Sequence, residues 1–213
     1  MHADWQFYIL FFLLLISAYL VFVFDRALIQ MLRTIIRLNF SEESFRNNEL
    51  SSSILNVFMQ VIFVLSLAYF SYWYLMENKI FSGPERGLLY AYCVVFFMFI
   101  YVVKNIFLWL LSIIFPFGQD ISFYRFNVNV LNQALGFALI PLLFLLTYTY
   151  AGIKEYVMWF VMILFVLSLA LRYARLFIIG FKYIRFYKFY FFIYFCTSEI
   201  IPNLVLIKIF YSL

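Results

Sequence analysis

Six stretches of about twenty or more mostly apolar residues constrain this chain more than any other feature of its sequence. An α-helix needs about 20 such residues to cross roughly 30 Å of hydrocarbon. A membrane-spanning β-strand would instead alternate in character, and the unbroken apolar run 9–16 does not alternate. We therefore predict an all-α, polytopic transmembrane helical bundle that forms a single domain over 1–213. The six predicted spans are 5–24, 54–76, 88–115, 127–150, 156–179 and 187–211.

Composition supports a membrane environment and excludes several other classes of protein. Apolar residues make up 68% of the chain and charged residues 12%, whereas soluble domains average about 45–50% apolar and about 25% charged residues. So few charges cannot cover the surface of a soluble globule. The net charge of +5 therefore does not indicate a soluble nucleic-acid binder, and the bilayer is the predicted partner instead.

The distribution of Lys and Arg predicts how the spans are oriented. Cytoplasmic loops of membrane proteins carry an excess of these residues. With the N-terminus outside, ten cations fall on the inner side and four on the outer side. We therefore predict that both termini lie outside and that the protein is a multi-pass protein of a bacterial inner membrane.

An amphipathic segment, 26–40, follows the first predicted span on the cytoplasmic side. Arg26, Arg33 and Arg37 share one helical face, and aliphatic residues fill the other. The favoured interpretation is an interfacial helix that anchors the topology, and the alternative is docking of a specific lipid or partner. Seven cations are predicted to contact anionic lipid headgroups: Arg26, Arg33, Arg37, Arg175, Lys182, Arg185 and Lys188.

Residues that would support catalysis or metal binding are scarce. The only histidine is His2, close to the N-terminus, and the sequence contains no phosphate-binding loop or dinucleotide-binding glycine pattern. Zinc sites with histidine ligands and Ser-His-Asp catalysis would lack their residues. We predict no catalytic residue, no metal site and no cofactor, and Cys93 and Cys196 are interpreted as packing residues.

Costly polar side chains nevertheless lie within four of the predicted spans. A charge near the centre of a membrane costs about 2.5–3.5 kcal/mol or more, so it usually faces protein or water. Helical spacing aligns these side chains on one face of each span, at similar depths below the cytoplasmic surface. They form a predicted buried polar cluster of Lys104, Asn105, Asn132, Gln133, Arg172, Glu199 and Asn203.

The cluster has two interpretations. In the favoured one, Glu199 pairs with Lys104 or Arg172 and holds the bundle together, because polar contacts between helices commonly stabilise membrane proteins. In the other, the cluster binds a substrate, a proton or a lipid headgroup, because ionisable groups inside a membrane are functional candidates by default.

A pattern near the C-terminus, Cys-Thr-x-Glu-Ile-x-Pro over 196–202, resembles the signature of a family of small integral membrane proteins from Bacteroidota. That family is known only as a domain of unknown function. The resemblance implies an inner-membrane protein of the cell envelope and assigns no activity. The positions that match the family pattern are Cys196, Thr197, Glu199, Pro202 and Lys208.

Three functions remain open. The favoured one is a non-enzymatic subunit of a larger envelope or secretion assembly, with other membrane proteins as partners. The alternative is a small carrier or lipid-handling protein that uses Lys104, Arg172 and Glu199. Transporters usually contain an inverted repeat, and no corresponding motifs relate the two halves of this chain. An enzyme acting on a lipid-linked phosphate is third, because no acid/base pair accompanies the cations that could hold the phosphate.

Overall fold

The structure is a computed structural model that describes residues 4–23, 29, 53–78, 86–114 and 118–183, and regular secondary structure in those parts is entirely helical. Five of its helices are long and apolar enough to cross a membrane. They are α1 (Asp4–Val23), α2 (Ser53–Glu77), α3 (Arg86–Ile114), α4 (Gly118–Tyr148) and α5 (Ala151–Tyr183). The predicted all-helical, membrane-spanning class is therefore confirmed for the described part of the chain.

These helices overlap the first five predicted spans, with two differences in length. Helix α4 begins at Gly118 rather than at residue 127, and α5 extends from Ala151 to Tyr183 rather than over 156–179. The sixth predicted span, 187–211, lies outside the described residues. So does the amphipathic segment 26–40, apart from Ile29. The number of spans and the orientation of the termini therefore stay predictions.

The connection between α4 and α5 is short. Only Thr149 and Tyr150 separate α4 from α5. The backbone N–H of Lys154 already donates to the carbonyl of Tyr150 at 3.1 Å. Such a short connection makes α4 and α5 antiparallel neighbours.

Helices α2 and α4 form the centre of the described bundle. In their apolar windows 61% of the residues are buried, against 11% in α3 and in α5. The α2–α4 core contains Tyr69, Leu139, Leu143 and Leu146, all completely buried. The Tyr69 hydroxyl lies 3.2 Å from the Thr147 hydroxyl. Helices α1, α3 and α5 pack around this pair and leave much of their own surface exposed.

The two central helices approach each other closely at Gly136 of α4. A methyl group at this position would lie 2.6 Å from the Cα of Phe63 on α2 and 2.9 Å from its Cβ. Real side chains are essentially never this close to a neighbouring backbone. Small residues allow this kind of backbone contact between membrane helices. Gly136 therefore determines the distance between α2 and α4.

The two ends of the bundle differ in chemistry. At one end, here called the Lys154 end, α1, α3 and α5 begin and α2 and α4 finish. There Lys154 of α5 pairs with Glu77 of α2 at 2.7 Å and lies 4.8 Å from the ring centre of Trp73. Gln6 of α1 donates to the Tyr72 hydroxyl at 2.8 Å. The opposite end, here called the Arg175 end, carries the buried polar side chains described next.

Candidate functional site

Buried polar side chains gather at the Arg175 end on two helices, α4 and α5. Helix α4 contributes three of them, Asn127, Asn132 and Gln133, which are 1%, 6% and 7% exposed. Helix α5 contributes Arg172 and Arg175, which are 9% and 5% exposed. Since such groups are costly to bury without hydrogen bonds, their partners decide what the site can do.

Two arginines of α5 contact two asparagines of α4. Arg172 Nη2 donates to Asn132 Oδ1, and Arg175 Nη1 donates to Asn127 Oδ1 at 2.6 Å. The later arginine meets the earlier asparagine because the two helices are antiparallel. Asn127 also donates from Nδ2 to the carbonyl of Phe123 at 2.9 Å, which fixes the orientation of its amide. We call these four residues the arginine–asparagine clamp.

A second polar contact joins α4 to α2. Gln133 Nε2 donates to Asn56 Oδ1, and Gln60 Nε2 donates to the same oxygen at 3.3 Å. Adjacent residues of a helix point about 100° apart. Asn132 therefore faces α5 while Gln133 faces α2, and one short stretch of α4 is fastened to both neighbours.

A known protein family matches almost the whole chain. A family model described as DUF4271, a domain of unknown function, matches residues 6–210. The chain belongs to the DUF4271 family. Neither the curated proteins nor the solved structures contain a match to it. The predicted resemblance to an uncharacterised family is thus confirmed, and membership brings no activity with it.

The structure brings together part of the predicted polar cluster. Asn132 and Arg172 are in contact, and Gln133 lies beside them on α4. Lys104 and Asn105 are half-buried on α3. Glu199 and Asn203 lie outside the described residues, as do the family-pattern positions Cys196, Thr197, Pro202 and Lys208. A pairing of Glu199 with Lys104 or Arg172 therefore stays a prediction.

Of the predicted lipid-headgroup contacts, only Arg175 has a described side chain. Its guanidinium is buried against Asn127. Lys182 belongs to the last turns of α5. The other predicted contacts, Arg26, Arg33, Arg37, Arg185 and Lys188, lie outside the described residues.

Three residues of the site were missed by the sequence analysis: Asn56, Gln60 and Asn127. Asn56 and Gln60 are spaced i, i+4 on α2, which places them on one helical face. Asn127 precedes Asn132 by little more than one turn. Arg172 and Arg175 are likewise about one turn apart on α5. Two asparagines and two arginines at similar spacing on neighbouring helices are the signal that could have indicated two side-by-side contacts.

Within the described residues, no three His, Cys, Asp or Glu side chains come together. Cys93 of α3 is buried, with a free thiol. The chemistry of the described site is thus that of guanidinium and amide groups, which donate and accept hydrogen bonds.

Proposed function

We propose that this chain is a non-enzymatic, membrane-embedded subunit of a larger cell-envelope or secretion assembly. The observation that carries the proposal is the arginine–asparagine clamp. Its side chains are buried and are engaged in contacts between helices, as expected for groups that hold a bundle together. The polar residues therefore stabilise a scaffold, and the functional surface lies elsewhere.

The outer faces of α1, α3 and α5 are the surfaces available to a partner. Large apolar side chains such as Phe99 and Trp159, 66% and 64% exposed, project from them. On α3 a shallow apolar depression runs along the helix, lined by Tyr92, Cys93, Val95, Phe96 and Phe99. An aromatic surface of this kind fits the apolar face of another membrane helix, because contacts within lipid depend on close packing. We place the partner's contact on α3.

Matched alanine substitutions on α3 and α1 test this proposal. Phe99 of α3 and Phe12 of α1 are similarly exposed, at 66% and 60%. The full chain is purified in mild detergent, and proteins that remain bound are quantified. We expect a stoichiometric membrane protein to accompany the wild type and the Phe12→Ala control, and to be lost from Phe99→Ala. A wild-type chain that purifies alone from every mild detergent would contradict the proposal.

A small carrier or lipid-handling protein is the second candidate. Its support is the set of polar side chains at the Arg175 end of the bundle, where Arg125 is only half-buried. A carrier must exchange its substrate with water, so its polar residues must become accessible.

Cysteine labelling distinguishes the carrier from the subunit. A cysteine replaces Asn105 or Asn132 in a background without Cys93 and Cys196, and a charged thiol reagent is added to inside-out vesicles. The subunit predicts slow labelling at both positions. Rapid labelling that a small solute blocks would favour the carrier.

The finer topology is part of the same proposal. Five membrane-capable helices and the predicted span 187–211 together give six spans, and the charge bias then places both termini outside a bacterial inner membrane. We expect alkaline phosphatase fused after Leu213 to be active. Green fluorescent protein fused at the same position and exported by the general secretion route is expected to stay dark. A bright fluorescent fusion would indicate an odd number of spans or the opposite orientation.

A further inference from the structure

We propose that exposed tyrosine and tryptophan side chains at the Lys154 end contact the headgroup region of a lipid bilayer and fix the depth at which the bundle lies. We call the four that carry the argument the aromatic girdle: Tyr8, Tyr150, Tyr156 and Trp159. They are 68%, 87%, 77% and 64% exposed. The inference goes beyond a subunit role, because it assigns these side chains to lipid and leaves α3 as the surface for a partner protein.

The girdle residues lie at one end of the bundle although they come from different parts of the chain. Tyr8 is in the second turn of α1, and Tyr156 and Trp159 are in the second and third turns of α5. All three therefore lie within about 12 Å of the start of their helices. Tyr150 belongs to the connection between α4 and α5. The chain reverses direction in that connection and is described on both sides of it, so the α4–α5 pair ends here.

The exposed surface of α5 changes in character with distance from this end. Beyond Trp159, the large exposed side chains described on α5 have no hydroxyl or N–H group: Phe160, Met162, Ile163, Val166, Leu167 and Ile178. A phenol hydroxyl or an indole N–H finds no acceptor in hydrocarbon, whereas it finds one among the oxygens at a membrane surface. The change in side-chain chemistry therefore places the edge of the hydrocarbon near Trp159.

Charged side chains lie at the same end as the girdle. Glu155 is exposed beside Tyr156, and Glu77 accepts from Lys154 at 2.7 Å with its own side chain 51% exposed. From the end of the bundle inwards, charged groups and rings with polar tips give way to hydrocarbon side chains. Headgroups, interface and acyl chains follow one another in the same order in a bilayer. Because Lys154 is already paired, the contact does not depend on anionic lipid.

Spin labels on the outer face of α5 test the proposal in the full chain. Ile153, Phe160 and Leu167 are matched in exposure, at 55%, 54% and 57%. Their seven-residue spacing places them nearly in line along the helix, with about 10 Å between successive positions. Each is replaced in turn by cysteine, in a background without Cys93 and Cys196, and is labelled with a nitroxide.

The labelled proteins are reconstituted in phosphatidylcholine vesicles, with a neutral nickel complex present on both sides. Oxygen concentrates in hydrocarbon and the nickel complex in water, so their relative collision rates with each nitroxide report its depth. We expect nickel collisions to dominate for Ile153→Cys, oxygen collisions to dominate for Leu167→Cys, and Phe160→Cys to be intermediate. Nickel access at all three positions would place this face in water and overturn the proposal. Oxygen access without nickel at the first position, or low access of both probes at the first two, would overturn it too.

Matched substitutions test whether the girdle holds the bundle at this depth. Tyr156→Leu combined with Trp159→Leu removes two rings with polar tips, and Phe11→Leu combined with Phe12→Leu removes two exposed rings without them. We expect the first pair to let the start of α5 move into the hydrocarbon, so that the ratio of oxygen to nickel collisions at Phe160→Cys rises. The second pair is expected to leave that ratio unchanged. No rise with the first pair, or an equal rise with both, would overturn the proposal.

Discussion

Replacing Gly136 with leucine is expected to destabilise the bundle by about 3 kcal/mol, the upper part of the range for overpacking a close-packed interior. Even the first atom of the new side chain would lie 2.6 Å from the Phe63 backbone. Helices α2 and α4 would have to separate along their most buried contact. Unfolding of the purified protein in mixed micelles, followed by circular dichroism, measures the effect.

Gly152 provides the matched control for this substitution. It lies near the start of α5, and a methyl group there would meet nothing within 4 Å. Gly152→Leu is therefore expected to unfold close to the wild type. Gly136→Ala should fall between the two, since it adds the clashing atom without the rest of the side chain. Equal stability of Gly136→Leu and Gly152→Leu would show that the approach of α2 and α4 contributes little.

Breaking the arginine–asparagine clamp is expected to cause the second large loss of stability. Asn132→Leu keeps the number and branching of the side-chain heavy atoms but removes the oxygen to which Arg172 donates. A hydrogen bond to a charged group contributes about 1.5–3 kcal/mol, and polar contacts between membrane helices are generally at or below the low end of that range. We expect a loss of about 1.5 kcal/mol in the free energy of unfolding.

A double-mutant cycle separates this contact from general effects of the substitution. Arg172→Met on the Asn132→Leu background removes the buried guanidinium, so it should cost less there than in the wild type. Asn129→Leu, a half-buried asparagine of the same helix, is the control and should change stability little. Additive costs for Arg172→Met and Asn132→Leu would mean that the contact does not stabilise the bundle.

The five helices of the structure could be predicted from the sequence, because a long apolar run that does not alternate can satisfy its backbone hydrogen bonds in a membrane only as a helix. Their lengths do not follow so directly. The predicted span starts at residue 127, after the polar residues Gln119 and Asp120, yet α4 begins at Gly118. Hydropathy marks the part of a helix that lies in hydrocarbon. A helix continues past that part wherever its residues tolerate helical geometry.

The sequence predicted several residues of the site, but not which helix each of them faces. Spacing showed that Asn132, Gln133 and Arg172 lie at a similar depth, because the rise of an α-helix is constant. The same spacing predicted that Asn132 and Gln133 lie on one face of the helix. In the structure they face two different helices, α5 and α2. Which neighbour a polar face meets depends on how the helices are arranged around each other, and one sequence does not contain that information.

The central position of α2 has a consequence for biosynthesis. Of the five helices, α2 has the lowest hydropathy, and its main packing partner, α4, follows it in the chain only after α3. As the nascent chain leaves the ribosome, Asn56 and Gln60 therefore enter the membrane before Gln133 has been translated. Until then these amides must face lipid, water or the insertion machinery. We infer that α2 is retained weakly at first, and that chains ending before α4 are degraded rather than inserted stably.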